Sequence, residues 1–190
     1  MQNRDKKKIY IISGSSGVGK GTIISGFLNN NPSFALSVST TTRAMREGEK
    51  EGVNYFYVSK DEFKQGIKEN SFIEWAEFSE NYYGTSKKSV QKLLDEDKNV
   101  ILEIDTQGAL QIKQKMPEVV LIFIAPPSYQ DLEMRLRSRN TESEEAILKR
   151  LEFVKLEIEN SQYYDYLIVN DTVEIAIQEL ERIIEVEKVM

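Results

Sequence analysis

The chain has 190 residues, of which 40% are apolar and 29% charged, with a formal net charge of −6 and neither cysteine nor histidine. This composition is globular, and it excludes disulfides, thiolate or histidine metal sites, and a Ser-His-Asp triad. The acidic balance argues against a nucleic acid polymer as partner, and no apolar run is long enough for a membrane span, so we expect a single cytoplasmic domain with no membrane partner.

Short apolar runs alternate with helical patterns along most of the chain. The run KIYIIS leads into a glycine-rich loop and a helical pattern, and the apolar runs at 100–104 and 119–125 each precede a helical pattern, at 109–116 and 129–137. A short strand at 167–169 and an amphipathic helix that begins near Val173 follow. Strands that alternate with helices predict a parallel sheet covered by helices on both faces, and therefore an α/β fold.

Two stretches depart from this alternation. Residues 37–85 hold short alternating segments, NYFYV and FIEWAEF, around one helix, which a capping box at Ser59 and Glu62 predicts. Residues 127–160 are mostly helical and rich in arginine, with a second capping box at Thr141 and Glu144. We interpret both stretches as insertions that close over a ligand, on a core formed by residues 1–36, 86–126 and 161–190.

Residues 14–20 read GSSGVGK, which matches the phosphate-loop pattern G-x-x-x-x-G-K between a strand and a helix. The N–H groups of such a loop converge on phosphate oxygens, and its lysine reaches the β- and γ-phosphates. Gly21 stands where the pattern has the Ser or Thr that holds Mg²⁺, so Thr22 becomes a candidate ligand for the metal. The predicted ATP site consists of Gly14, Ser15, Ser16, Gly17, Val18, Gly19, Lys20, Gly21 and Thr22.

Two acidic residues stand at the end of the apolar run VILEID. Period-2 alternation places Glu103 and Asp105 on one face, at the end of a strand where α/β sheets bind ligands. Both are candidates to face the site, and Glu103 is a second candidate ligand for Mg²⁺. The alternative is that one of them only caps the following helix.

The second substrate is predicted to carry a phosphate. A kinase that phosphorylates a hydroxyl group usually needs a base, whereas a phosphate acceptor is already an oxyanion and needs a cluster of cations. The chain has no histidine to serve as that base. It does have clusters of cations in both insertions, namely Arg43, Arg46, Arg135, Arg137, Arg139, Lys149 and Arg150.

Residues 41–57, TTRAMREGEKEGVNYFY, fit the guanylate kinase signature T-[ST]-R-x2-[KR]-x2-[DE]-x2-G-x2-Y-x-[FY] at every fixed position. Further matches follow in order: FIEWAEF, NYYGT, ILEIDTQG, FIAPPS, RNTESEEAILKRL and VND. The chain therefore resembles the guanylate kinase family over nearly its whole length.

The resemblance implies that the γ-phosphate of ATP is transferred to GMP with Mg²⁺, in a P-loop NTPase-type core with a GMP-binding insertion (37–85) and a lid (127–160). It implies that Ser39, Arg43, Arg46, Tyr55 and Tyr83 hold the GMP phosphate and that Glu74, Thr85 and Asp105 recognise guanine. It also implies that Arg135, Arg139 and Arg150 close on the ATP phosphates, so that with Lys20 and Arg43 they form the catalytic set. Asn170 would contact adenine, or alternatively belong to a helix N-terminal turn with Asp171 and Thr172.

The chemistry of guanine agrees with this assignment, because its N1–H and N2–H groups can both donate to one carboxylate and the Thr85 hydroxyl can donate to its O6. Adenine has no hydrogen on N1. Alternation in FIEWAEF favours Glu74 and Glu77 equally, and only the resemblance selects Glu74.

Two other functions stay open at this stage. One is a kinase of similar fold that acts on another phosphate-bearing acceptor. The other is a catalytically silent guanylate kinase-like module that binds phosphopeptides, although such modules typically lack the loop lysine that this chain retains as Lys20. The sequence also leaves a homo-oligomer open.

Overall fold

The computed structural model describes residues 7–15, 17–138 and 144–189, apart from the side chains of Arg135, Ser138, Ala146, Lys149, Arg150 and Phe153. The strands in this part of the chain are β1 (Ile9–Gly14), β2 (Phe34–Leu36), β3 (Thr40–Thr41), β4 (Phe56–Tyr57), β5 (Phe72–Phe78), β6 (Asn81–Ser86), β7 (Asn99–Glu103), β8 (Val120–Ala125) and β9 (Tyr166–Val169). The helices are α1 (Lys20–Asn30), α2 (Lys60–Lys68), α3 (Lys87–Asp95), α4 (Thr106–Lys115), α5 (Tyr129–Ser138), α6 (Glu144–Asn160) and α7 (Val173–Val189).

The strands form two sheets. The larger has the order β2-β7-β1-β8-β9, and its two outer pairs, β2 with β7 and β8 with β9, are parallel. The smaller has the order β4-β3-β6-β5 and mixes one parallel pair with two antiparallel pairs. The predicted α/β fold with a parallel sheet core is confirmed, and residues 37–85 do contain a small mixed sheet.

The central strands are apolar because both of their faces are buried, as is usual for parallel sheets. Every residue of β1 is buried, as are five of the six residues of β8. Strands β1, β7 and β8 and helices α4 and α5 lie where the apolar runs and helical patterns place them, to within one to three residues at the ends.

Within the described residues, the chain divides into two compact units. The first contains residues 7–10, 33–102 and 110–119, and therefore the whole four-stranded sheet. The second contains residues 11–32, 103–109 and 120–189, and therefore the phosphate loop, α1 and the helices α5, α6 and α7.

Helix α2 begins as the sequence predicts. The Ser59 side chain accepts a hydrogen bond from the Glu62 N–H group, and the Glu62 carboxylate accepts one from the Ser59 N–H group, so both halves of the capping box are present. The second predicted capping box includes Thr141, which lies outside the described residues.

Helices α5 and α6 share an apolar cluster of Leu132, Leu136, Ile147, Leu151 and Val154. Ile158, four residues after Val154 on α6, is 38% exposed and does not belong to this buried cluster. The reason is length, because α6 has 17 residues against 10 in α5 and its last turns extend beyond the shared cluster. No helix in the described ranges is both long and apolar enough to cross a membrane.

Candidate active site

Apart from the lid arginines, the functional residues that the sequence predicts fall into two groups, one in each unit. The loop site, in the second unit, comprises residues 14–22 with Glu103, Asp105 and Asn170. The arm site, in the first unit, comprises Ser39, Arg43, Arg46, Tyr55, Glu74, Tyr83 and Thr85. Each is described by itself.

Glycines allow the loop site to fold closely against its own unit. A Cβ atom on Gly14 would lie 2.2 Å from the Ile124 carbonyl oxygen in β8, so this position excludes a side chain. Gly19 has a φ of 98°, in the left-handed region that favours glycine, and forms the N-cap of α1. The first N–H groups of a helix lack partners within it, so the loop ends at a site suited to an anion. Ser16 lies outside the described residues.

Lys20 folds back over the loop. Its Nζ donates to the Gly14 carbonyl oxygen at 2.6 Å and to the Ser15 carbonyl oxygen at 3.3 Å. Burial lowers the pKa of Lys20, and the negative charges of Glu103, Glu157 and Asp105 oppose this shift. An incoming polyphosphate would therefore compete with these backbone carbonyl groups for the Lys20 ammonium. Unlike the carbonyl groups, it carries full negative charges that can pair with the ammonium.

The two acidic residues after the apolar run have different environments. Glu103 ends β7 and is half-buried, and burial raises the pKa of its carboxyl group while Lys20 opposes the rise. Asp105 is exposed, and its Oδ1 accepts a hydrogen bond of 2.7 Å from the Gly108 N–H group. Asp105 therefore caps α4, as the alternative interpretation expected, and its contact with guanine stays a prediction.

The residues beside Lys20 fit a magnesium ion. Mg²⁺ in phosphotransferases is usually held by one or two carboxylates together with phosphate oxygens and water, rather than by a cage of protein ligands. Glu103 supplies a carboxylate close enough to Lys20 to affect its pKa, while Thr22 is an exposed residue of α1. No cluster of three or more acidic side chains that would bind a metal by itself occurs in the described part of the chain.

Asn170, after β9, is 3% exposed, and its side chain contacts the phosphate loop. Its Nδ2 donates to the Val18 carbonyl oxygen at 2.6 Å, and its N–H group donates to the Ala125 carbonyl oxygen at 2.8 Å. Helix α7 is capped by Thr172, whose Oγ1 accepts from the Ile175 N–H group at 3.3 Å. The predicted contact of Asn170 with adenine is not tested by this geometry.

In the arm site, Arg43 forms a two-pronged ion pair with Glu49. The distances are 3.0 Å from Nη1 to Oε2 and 2.7 Å from Nη2 to Oε1, and the guanidinium also lies over the Tyr55 ring at 5.4 Å from its centroid. Tyr83 meets Tyr55 edge-on, with ring centroids 6.1 Å apart. The structure thus brings together three predicted phosphate-binding residues, Arg43, Tyr55 and Tyr83.

Glu49 matches the [DE] position of the signature, but the sequence gives it no predicted role. Its carboxylate also accepts from the Arg46 N–H group at 2.7 Å and from the Tyr57 hydroxyl group at 2.8 Å. These hydrogen bonds, with that from Arg43 the strongest, hold the pKa of Glu49 at about 2 and raise the pKa of Arg43. Glu49 therefore holds the Arg43 guanidinium, the Arg46 backbone and the Tyr57 hydroxyl group together. The side chain of Arg46 is exposed, and Ser39 is half-buried at the edge of β3.

Glu74 and Thr85 form a buried pair between β5 and β6. Glu74 is 6% and Thr85 1% exposed, and the Thr85 Oγ1 donates to the Glu74 Oε1 at 2.7 Å. The strand register shifts between Phe72 and Glu74, which breaks the simple alternation of FIEWAEF, and Glu77 is exposed. The structure thus buries Glu74 and leaves Glu77 exposed, and recognition of guanine by Glu74 stays a prediction.

The lid arginines cannot be placed in either group. Arg139 lies outside the described residues, as do the side chains of Arg135 and Arg150, so their roles stay predictions. Arg137, which the sequence places in the same cation cluster, pairs with Glu133 of α5 at 2.7 Å and also with Glu144 of α6. It therefore links the two helices.

A parallel α/β sheet whose strand β1 runs into a phosphate loop at a helix N-terminus defines the P-loop class of nucleotide-binding proteins. The family model described as guanylate kinase matches residues 6–187. The chain belongs to the guanylate kinase family.

Its relatives agree with this assignment. It is 47% identical over 180 residues to a guanylate kinase of Caldanaerobacter subterraneus subsp. tengcongensis, covering 95% of this chain and 87% of the relative. It is 49% identical over 180 residues to a guanylate kinase of Clostridium perfringens, covering 95% and 83%. A crystal structure of guanylate kinase from Anaplasma phagocytophilum superposes with a TM-score of 0.80 at 33% identity, covering 98% of this chain and 88% of that one.

Proposed function

We propose that this chain transfers the γ-phosphate of Mg·ATP to GMP and releases ADP and GDP. The observation that carries the proposal is the buried Glu74–Thr85 pair. It lies on the same β-hairpin as Tyr83, whose ring contacts the Tyr55 ring that Arg43 covers. Tyr83 and Thr85 are two residues apart on β6 and so share a face, with side chains about 7 Å apart along the strand. One face of the hairpin thus carries residues for a phosphate and for a base.

Recognition of guanine rests on a buried acceptor. The Glu74 carboxylate can accept from both N1–H and N2–H of guanine, whereas adenine would leave a buried charge without that partner. The Thr85 hydroxyl donates to Glu74, so the first role of Thr85 is to orient the Glu74 carboxylate. Its predicted hydrogen bond to guanine O6 then requires the hydroxyl hydrogen to turn away from Glu74.

The loop site would hold ATP. The N–H groups at the start of α1 would bind phosphate oxygens, and Lys20 would exchange the Gly14 and Ser15 carbonyl oxygens for the β- and γ-phosphates. When Mg²⁺ is bound, with Glu103 and Thr22 as its proposed holders, it neutralises charge on the polyphosphate.

Transfer needs no protein base. An oxygen of the GMP phosphate attacks the γ-phosphorus in line, the bond from that phosphorus to the β–γ bridging oxygen breaks, and ADP leaves. Arg43 would hold the attacking phosphate, while Arg135, Arg139 and Arg150 would neutralise charge at the transferred group. Closure of the lid would exclude water, which otherwise competes as an acceptor.

The relatives do not support the two other functions that the sequence leaves open. Those named above are guanylate kinases, and neither a kinase of another phosphate acceptor nor a silent phosphopeptide-binding module is among them. We further propose that the reaction recycles purine nucleotides in the cytoplasm, where both substrates occur.

The decisive variant is Glu74→Gln, with Glu77→Gln as its matched control on the same strand. We expect Glu74→Gln to lower kcat/KM for GMP about 100-fold or more, because a site built to pair with polar groups discriminates strongly when the pairing is lost. Glu77 is exposed, so Glu77→Gln should stay within about twofold of the wild type. Steady-state kinetics at saturating ATP measure both, and equal, small effects of the two substitutions would contradict the proposal.

A further inference from the structure

The peptide between Val18 and Gly19 lies in the phosphate loop, immediately before α1. Gly19 has a φ of 98° and no side chain, so its own conformational preference does little to fix this peptide plane. In a planar trans peptide, the carbonyl group of one residue and the N–H group of the next point in opposite directions. The direction of the Val18 carbonyl therefore determines the direction of the Gly19 N–H group.

One side chain holds that carbonyl. The Asn170 Nδ2 donates to the Val18 oxygen at 2.6 Å, and both residues are buried, at 3% and 1% exposure. Asn170 is itself fixed by its N–H group, which donates to the Ala125 carbonyl at 2.8 Å. The Asn170 amide also packs closely against Gly19, because a Cβ atom on Gly19 would lie 2.9 Å from Nδ2.

We propose that Asn170 is a positioning residue for the phosphate loop, and that it acts on the polyphosphate through the Val18–Gly19 peptide rather than on the base. If the carbonyl were released, this peptide could turn its oxygen toward the bound phosphates and its N–H group away from them. A carbonyl dipole pointed at a polyanion repels it, and the loop would lose one donor at the same time. The inference rests on the proposed function, since it assumes that the loop binds the phosphates of ATP.

Asn170 could position the Val18–Gly19 peptide or contact adenine. The two roles predict different losses of affinity for two probes, Mg·ATP and inorganic tripolyphosphate with Mg²⁺. Tripolyphosphate has no base, so a residue that only contacts adenine leaves its affinity unchanged. In Asn170→Ala we expect both dissociation constants to rise by the same factor, about three- to tenfold, as loss of one hydrogen bond gives. In turnover with GMP, KM for ATP should rise by that factor while KM for GMP stays unchanged.

Two further variants complete the test. The side chain of Asn170→Asp has nearly the same shape but cannot donate to Val18 when it is ionised. This variant should therefore weaken the binding of both probes at least as much as Asn170→Ala, and it provides the test if the alanine variant folds poorly. Asn31→Ala is the matched control, because Asn31 Nδ2 also donates to a backbone carbonyl of the same unit, that of Phe27 at 2.9 Å, at the far end of α1. It should leave both dissociation constants within about twofold of the wild type.

The outcomes separate cleanly. A loss confined to ATP, no loss with either probe, or a wild-type chain that binds ATP but not tripolyphosphate would each overturn the inference. A wild-type chain that binds neither probe would contradict the proposed function instead.

Discussion

At the scale of single residues, the arm site depends on an acidic side chain that binds no substrate in the proposed reaction. Glu49 accepts hydrogen bonds from the Arg43 guanidinium, the Arg46 backbone and the Tyr57 hydroxyl, and it therefore fixes Arg43 before a phosphate arrives. An arginine that is already oriented loses less conformational entropy when it binds a ligand. Glu49 thus preorganises Arg43 for the phosphate that we propose it binds.

Substitution Glu49→Gln should weaken GMP binding and remove one source of acid sensitivity. A glutamine cannot accept both prongs of Arg43, so we expect KM for GMP to rise about tenfold while KM for ATP is unchanged.

The pH dependence follows from the lowered pKa of Glu49. The pKa is about 2 in the folded chain against an ordinary value of 4.5, so the ionised carboxylate stabilises the fold fully above pH 4.5 and this contribution is lost as the pH falls toward 2. Thermal unfolding at several pH values measures it, and the difference in Tm between wild type and Glu49→Gln should shrink across this range. A difference that does not depend on pH would show that Glu49 does not act through its charge.

At the scale of the elements, the phosphate loop is fixed by the packing of β1 against β8 as much as by its own sequence. A Cβ atom on Gly14 would overlap the Ile124 carbonyl oxygen, which is backbone and cannot move without displacing β8. At Gly21, in the first turn of α1, a Cβ atom would meet nothing within 4 Å. The packing therefore requires glycine at position 14 but not at position 21.

The two alanine substitutions should have opposite effects on the free energy of unfolding. Gly14→Ala should lower it by about 2 kcal/mol or more, because overpacking against backbone forces the strands apart. Gly21→Ala should raise it by about 0.5–1 kcal/mol, because alanine favours the helix and fits the open space. Urea unfolding of both variants measures the difference, and a Gly14→Ala variant as stable as the wild type would contradict the packing argument.

The sequence predicts the long elements better than the short ones. Strands β1, β7 and β8 are continuous apolar runs and are found where those runs lie, whereas β2 and β3, of three and two residues, carry too few side chains to show a pattern. The register shift at Phe72 and Glu74 is a local irregularity that alternation cannot reveal.

Contacts between distant parts of the chain were also beyond sequence reasoning. Asn170 and Val18 are 152 positions apart, and nothing in the VND segment indicates that its amide binds the phosphate loop. Glu49 matched a signature position, but its partners Arg43 and Tyr57 became known only from the folded arm site.

At the scale of the whole molecule, a chain of net charge −6 has to bind two polyanions. In the proposed function it does so by concentrating its cations, with Lys20 in the loop site and Arg43 in the arm site. Apart from Asp105, the residues that we propose for the two nucleotides belong to different compact units, so we expect a substitution in one site to leave binding at the other intact. A kinase of this kind should lose transfer whenever either site is lost, while the intact site still binds its own nucleotide.

The most direct measurement is ADP release from Mg·ATP by the purified chain when GMP, AMP, CMP and UMP are offered separately. We predict turnover with GMP alone. Lys20→Met should nearly abolish it and leave the affinity for GMP unchanged, while Lys92→Met, at a side chain that is 75% exposed on α3, should have no effect. Similar rates with all four nucleotides, turnover with none of them, or full activity of Lys20→Met would contradict the account.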